Sequence, residues 1–231
     1  MTNPSGRISK PLSWSRRIWH WFAFYFFGFL FFFGNSFRRF GMHRVPKDGP
    51  FLIVCNHESL WDPPMAGVTL SRPVSYMARK TLFDNPLLAA MITRQGGFAV
   101  DLEGVGLDGI KTTLKRLEDG EGVLVFPEGT RSRDGNMLPF LKGIVLLIRR
   151  AKVPVLPVGI AGNYHAWPPK YKLPRWSPLW CRANPAAMSC YIGELIPAET
   201  LLAMKPDEMI RFLENAVASA RAEAKRRQRK R

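Results

Sequence analysis

Between Phe51 and Gly193, short apolar runs alternate with connections long enough to hold a helix, and this alternation limits the fold more than any other feature of the chain. The runs are FLIVCN (51–56), PVSYMA (73–78), GFAV (97–100), GVLVF (122–126), VPVLPVGI (153–160) and MSCYIG (188–193). Pro63–Leu70, Pro86–Thr93, Gly106–Leu117 and Gly143–Ala151 read as helices between them, the third with Ile110, Leu114 and Leu117 at i, i+4, i+7. Strands alternating with helices predict an α/β fold, a mainly parallel central sheet flanked by helices. Residues 162–180 contain Pro168, Pro169, Pro174 and Pro178 and read as a loop or lid.

At 231 residues and 46% hydrophobic content the chain supports one such domain with short appendages. That composition excludes collagen-like, disulfide-scaffold and fully disordered classes. Cys55, Cys181 and Cys190 are few, odd in number and lack CxxC spacing, which argues against a disulfide framework and fits a reducing compartment. His20, His43, His57 and His165 are too scattered to make a metal motif on spacing alone.

The formal net charge is +16, and most of it sits at the ends. Residues 1–50 carry eight basic and one acidic side chain, and residues 221–231 carry seven and one. The organisation read from this is an aromatic and basic membrane anchor over 1–44, a catalytic domain over 45–220 and a basic tail over 221–231. An anionic partner is implied. The globular part has no RNP, zinc-finger or heptad signature, so a membrane surface is expected rather than nucleic acid.

From Ile18 to Phe33 runs IWHWFAFYFFGFLFFF, broken by His20 and Gly28. Sixteen helical residues would span roughly 24 Å at about 1.5 Å each, short of the roughly 30 Å of a bilayer core. With Trp14, Trp19, Trp21 and Tyr25 in the run and Arg16, Arg17, Arg38, Arg39 and Arg44 around it, the reading is a monotopic or re-entrant anchor. Two others compete with it. A signal peptide would use Arg16 and Arg17 as its charged region and Gly34-Asn35-Ser36 as a small-x-small site, against a Phe-rich core and an Arg pair just after that site. An aromatic helix buried in a core or a dimer interface is the other. Near the carboxyl end, Met209, Phe212, Leu213, Ala216 and Val217 predict a helix from about Pro206 that dissolves into AKRRQRKR.

Two polar loops carry the candidate chemistry. FLIVCN empties into Asn56-His57-Glu58-Ser59-Leu60-Trp61-Asp62-Pro63-Pro64, which sets His57 just past the carboxyl end of a strand, where open α/β sheets bind ligands. A tight turn would bring the Asp62 carboxylate to His57 Nδ1 and leave Nε2 as a base. The plainer alternative is that Asp62 caps the next helix and His57 is an ordinary loop residue. GVLVF empties into Phe126-Pro127-Glu128-Gly129-Thr130-Arg131-Ser132-Arg133, which opens on the same edge of a parallel sheet and offers Arg131 as a phosphate fork. An ordinary polar turn is the alternative there. With no GxSxG elbow, the chemistry indicated is direct attack by a deprotonated substrate hydroxyl on an activated acyl group. A literal GxGxxG at 104–109 keeps a dinucleotide site open, although Asp101, Glu103 and Asp108 would surround its pyrophosphate with carboxylates.

Taken in order, these segments resemble the lysophosphatidic acid acyltransferase family, the PlsC-like 1-acyl-sn-glycerol-3-phosphate acyltransferases. NHESLWD resembles its NHxxxxD motif, GGFAVD its second, FPEGTRS its third and VPVLPVGI its fourth, over about residues 45–165. The resemblance implies His57 as general base, Asp62 as its orienting partner, and Glu128, Gly129, Thr130 and Arg131 as acceptor-binding residues. Lys142 is a further cation for phosphate, and Pro157 shapes an apolar floor. It implies acyl transfer from acyl-CoA or acyl carrier protein to a lysophospholipid hydroxyl, without metal or prosthetic group, at the cytoplasmic face of the cell membrane. The chain departs from the family where the second motif usually ends in arginine and here has Leu102. Arg94, Arg79 or Lys80 are candidate replacements, and a lyso-ornithine lipid or another hydroxylated lipid becomes a rival acceptor. A membrane lipid-binding protein without activity is the non-catalytic alternative.

Overall fold

The computed structural model describes residues 14–70, 72–100 and 107–230. In chain order it holds α1 (Trp14–Asn35), β1 (Arg38–Phe40), β2 (Phe51–Cys55), α2 (Asp62–Thr69), β3 (Val74–Arg79), α3 (Pro86–Arg94), β4 (Gly97–Val100), α4 (Leu107–Glu118), β5 (Gly122–Val125), α5 (Gly143–Ala151), β6 (Val155–Ala161), α6 (Asn163–Ala166), β7 (Ser189–Ile192), α7 (Ala198–Leu202) and α8 (Pro206–Arg227). The strands form one sheet in the order β1-β7-β6-β2-β5-β3-β4. Among the described strands, β6 and β7 pair antiparallel and the other neighbours pair parallel. The fold is therefore the expected mainly parallel sheet flanked by helices.

β2 lies at the centre because its sequence demands cover on both faces. Successive side chains of a strand point to opposite sides, and all five residues of FLIVC are buried. Phe51, Ile53 and Cys55 join a core with Phe31 from α1, Met65 from α2 and Leu70 just after it. Leu52 and Val54 join a second core with Leu117, Ile144, Ile148, Leu213 and Val217 from α4, α5 and α8. By contrast β1, Arg-Arg-Phe, gives no apolar pattern; it pairs parallel with β7 at the edge of the sheet, Arg38 opposite Ser189.

α1 runs 22 residues, roughly 33 Å at about 1.5 Å per residue. It is longer than the apolar run alone predicts, because Trp14–Arg17 and Gly34-Asn35 continue the helix. Its length and composition suffice to cross a membrane. One side packs on the domain: Phe31 is fully buried and meets Phe27, Phe37 and Trp61. Near its start, Arg16 pairs with Glu121 at 2.8 Å and donates to Ser75. The other side leaves Trp14, Ile18, Trp21, Phe22, Tyr25, Phe26, Phe29 and Phe32 exposed as one stripe.

α8 continues through Arg227, so residues 221–227 are helix rather than the start of a tail. Met209, Leu213, Val217, Ala220 and Ala224 form its buried stripe. A glycine is required where it crosses β6, because a Cβ at Gly159 would collide with the backbone of Ala220 and Arg221. That contact carries the carboxyl-terminal helix up to the site.

Candidate active site

β2, β5 and β6 are parallel neighbours, so the loops that follow them open on one edge. The turn after β2 is fixed first by Asn56, whose amide donates to the Ile160 carbonyl at 3.1 Å and accepts from the Ile160 N–H at 2.8 Å. The chain then coils around the Asp62 carboxylate, which is fully buried. Its Oδ2 accepts from His57 Nδ1 at 2.8 Å and from the backbone N–H groups of Glu58 and Ser59 at 2.6 and 2.7 Å. Its Oδ1 accepts from the Asn163 amide at 2.7 Å. The carboxylate therefore faces the preceding turn and does not cap α2. Prolines in the first positions of α2 have no N–H to satisfy there.

An ionised carboxylate only accepts hydrogen bonds, so His57 carries its proton on Nδ1 and a lone pair on Nε2. The ring stacks on Phe126, with centroids 4.1 Å apart and planes inclined by 18°. It keeps 19% side-chain exposure. Nε2 has no protein hydrogen-bond partner among the described residues.

The loop after β5 is bound to the same histidine. Glu128 Oε1 accepts from the His57 N–H at 2.7 Å, and the Ser132 N–H donates to the His57 carbonyl at 2.9 Å. Glu128 Oε2 accepts from the Leu138 N–H at 2.7 Å. Both carboxylate oxygens thus hold backbone, and burial raises the pKa of this group against those two donors. Gly129 adopts φ 69°, and a Cβ there would meet Leu141 at 2.6 Å. Thr130 is exposed and Arg131 half-buried.

The sequence-predicted residues are thus brought together except for one. Lys142 is exposed at the start of α5 and lines a cleft with Val145, Leu146, Arg149, Pro206 and Ile210, although Leu141 beside it donates its N–H to the Pro127 carbonyl of the second loop at 2.9 Å. Pro157 is buried in β6 opposite Val54. Of the candidate replacements for the family arginine, Arg94 lies over the Trp19 ring, whereas Arg79 and Lys80 are exposed at the carboxyl end of β3. Leu102 and the first half of the GxGxxG segment, residues 104–106, lie outside the described residues.

Asn163 and Arg221 escaped the sequence reading. Asn163 follows β6 at the same sheet edge as His57, which was its only available signal. Arg221 comes from α8, 163 positions away from Glu58, and pairs with that carboxylate at 2.8 Å. It also donates to the Gly135 carbonyl. Glu58 is buried, receives the Asn56 amide at 3.1 Å, and has its carboxyl pushed up to about 7 by burial, with Arg221 opposing. Burial also raises the Cys55 thiol and pushes Cys190 up to about 12, which leaves neither as a thiolate. Among the described residues, no His, Cys, Asp or Glu side chains cluster as metal ligands would.

The profile of the family described as Acyltransferase matches residues 37–161. The 1-acyl-sn-glycerol-3-phosphate acyltransferase of Bacillus subtilis (strain 168) is 34% identical over 126 residues, 54% of this chain and 62% of that protein. The Saccharomyces cerevisiae protein of the same name is 31% identical over 133 residues, 53% of this chain and 42% of its own length. The chain thus spans less than two thirds of these relatives. The crystal structure of the 1-acyl-sn-glycerophosphate acyltransferase PlsC from Thermotoga maritima is similar at TM-score 0.73 and 28% identity, covering 93% of this chain and 81% of that one. Because the matched region runs from β1 through β6 and takes in both polar loops, the chain belongs to the acyltransferase family.

Proposed function

We propose that the chain transfers an acyl group from a thioester, acyl-CoA or acyl carrier protein, to the free hydroxyl of 1-acyl-sn-glycerol-3-phosphate, giving phosphatidic acid. The observation that carries this reading is the 2.8 Å pairing of His57 Nδ1 with the buried Asp62 carboxylate, which leaves Nε2 to act as a base. The base acts on the substrate hydroxyl. Nε2 takes the hydroxyl proton as the oxygen bonds to the thioester carbonyl carbon. The tetrahedral intermediate then re-forms the carbonyl, the C–S bond breaks, and the imidazolium returns its proton to the departing thiolate. Asp62 stabilises the imidazolium between the two transfers.

Arg131 and Thr130 bind the acceptor phosphate, with Arg79 and Lys80 as further cations at the same edge, and Glu128 and Gly129 shape the loop that presents them. The exposed stripe of α1 rests in the cytoplasmic leaflet of the cell membrane, where both lysolipid and product reside. The relatives' names carry the same acceptor.

A mass-spectrometric assay tests the reading. Wild type and His57→Ala are offered a labelled acyl thioester on either carrier and a mixture of lysophosphatidate, lyso-ornithine lipid and other lysolipids. Labelled phosphatidic acid from wild type alone is the expected result. A different acylated lipid would reassign the acceptor, and absence of product from both carriers would favour lipid binding without catalysis.

A further inference from the structure

We infer that residues 170–182 form a second membrane-contacting element, a rigid tryptophan-bearing loop that enters the interface of an anionic lipid leaflet beside the carboxyl end of α1. The inference rests on the membrane reading of α1 and extends it to a segment outside the matched family region.

The loop is held firmly to the end of α1. The Ser177 N–H donates to the Gly34 carbonyl at 2.8 Å and the Leu179 N–H to the Phe33 carbonyl at 3.0 Å. The Asn35 amide donates to the Arg175 carbonyl at 3.0 Å. The Trp176 ring packs so closely on Gly34 that a Cβ there would meet it at 2.6 Å. From beyond α8, Arg229 donates to the carbonyls of Pro178 and Cys181 and to the Ser36 hydroxyl. The basic carboxyl-terminal segment thus clamps the loop.

A loop bound at so many points nonetheless turns its largest apolar side chains outward. Leu173 is 78% exposed and Trp180 75%, with Tyr171 and Trp176 also open. Single exposed apolar residues need no explanation, but Trp176 packs on Gly34 and Trp180 follows the Leu179 bound to Phe33, at the end of a helix that already presents an apolar stripe. Tryptophan favours the interface between headgroups and acyl chains. Charge selects the kind of surface: no Asp or Glu occurs from Gly135 to Gly193, while Lys170, Lys172, Arg175 and Arg182 all fall in the loop. Aromatic rings among cations and no acids match an anionic leaflet. Contact along α1 and again at its end would fix how the helix, and the site behind it, sits on the bilayer.

Cys181 gives the test a native handle, because it is exposed while Cys55 and Cys190 are buried. A maleimide fluorophore sensitive to polarity is coupled to Cys181 of the full chain. The labelled protein is then mixed with phosphatidylcholine vesicles, with and without phosphatidylglycerol. The expected result is a blue shift with brighter emission on the phosphatidylglycerol vesicles. In unlabelled protein, Leu173→Ser with Trp180→Ser should lower vesicle partition at least tenfold, since one large apolar group withdrawn from the interface accounts for about that much, with circular dichroism showing the fold kept. Protein that pellets with vesicles while the label stays unchanged overturns the inference and leaves α1 as the anchor. Wild-type partition of the double variant overturns it equally. Protein that does not pellet at all defeats the membrane reading itself.

Discussion

The Asn163 amide donates at 2.7 Å to the one Asp62 oxygen that His57 leaves unused. The loops after β2 and β6 therefore meet on one fully buried carboxylate. Asn163→Ala removes the donor and leaves a buried acceptor unpaired, which typically costs about 1–3 kcal/mol. Urea unfolding is expected to show a lower midpoint with an unchanged slope, and a wild-type midpoint would show that the contact carries no stability.

Asp62→Asn addresses the catalytic half of the same cluster. The substitution keeps the size of the side chain but withdraws the negative charge that holds the proton on Nδ1 and stabilises the imidazolium. Turnover should fall on the order of 10²–10⁴, the range of general acid–base contributions, with little change in acceptor KM. Acyl-transfer kinetics check this, and turnover within a few-fold of wild type would remove Asp62 from the mechanism.

Glu58 and Glu128 make stability depend on pH with a defined sign. Burial holds both carboxyls above the ordinary 4.5, Glu58 at about 7. Between those values the folded chain binds a proton at Glu58 that the unfolded chain has released, so stability falls as pH rises from about 4.5 to 7. Glu121 differs in sign and window. Burial would raise it, but Arg16 and Ser75 hold it lower, so its contribution is present above pH 4.5 and lost below. Thermal unfolding from pH 5 to 8 should show a declining midpoint in wild type and a flatter profile in Glu58→Gln.

Arg221 joins that carboxylate to α8, and well above pH 7, where Glu58 is ionised, its removal strands a charge on a side chain that is 3% exposed. Breaking one partner of a buried pair costs about 3–5 kcal/mol, and the partly exposed arginine places this case at the low end. Arg221→Ala should unfold at clearly lower temperature, and the loss should shrink in Arg221→Ala with Glu58→Gln, where no charge is left behind. Additive losses in the double variant would mean that the two side chains act independently.

What was legible in the sequence was what packing writes locally. The run FLIVC betrays a strand covered on both faces, and each of the six apolar runs became a strand. The pairing of His57 with Asp62 was readable because five positions and a tight turn separate them. Glu128 entered the site through the family resemblance, while the N–H groups of His57 and Leu138 that occupy its two oxygens leave no mark on composition. β1 was hidden because its edge position tolerates Arg38. The helical nature of 221–227 was obscured by its charges, although Ala220 and Ala224 continue the buried stripe. Asn163 and Arg221 reach the site only through the sheet order and the approach of α8 at Gly159, and neither is encoded in local spacing.

Arg131 and Lys142 enter the sequence reading as equals, yet their surroundings separate them. Arg131 is half-buried in the loop whose backbone is hydrogen-bonded to His57. Lys142 opens into the cleft between α5 and α8. A charge-assisted hydrogen bond to phosphate contributes about 1.5–3 kcal/mol, so Arg131→Ala should raise the acceptor KM about tenfold or more. Arg131→Lys should recover only part of it, since an ammonium cannot bind phosphate through a planar fork. Lys142→Ala should leave acceptor KM near wild type. Steady-state kinetics over a range of lysophosphatidate concentrations separate the two, and a larger effect at Lys142 than at Arg131 would move the phosphate out of the FPEGTRS loop.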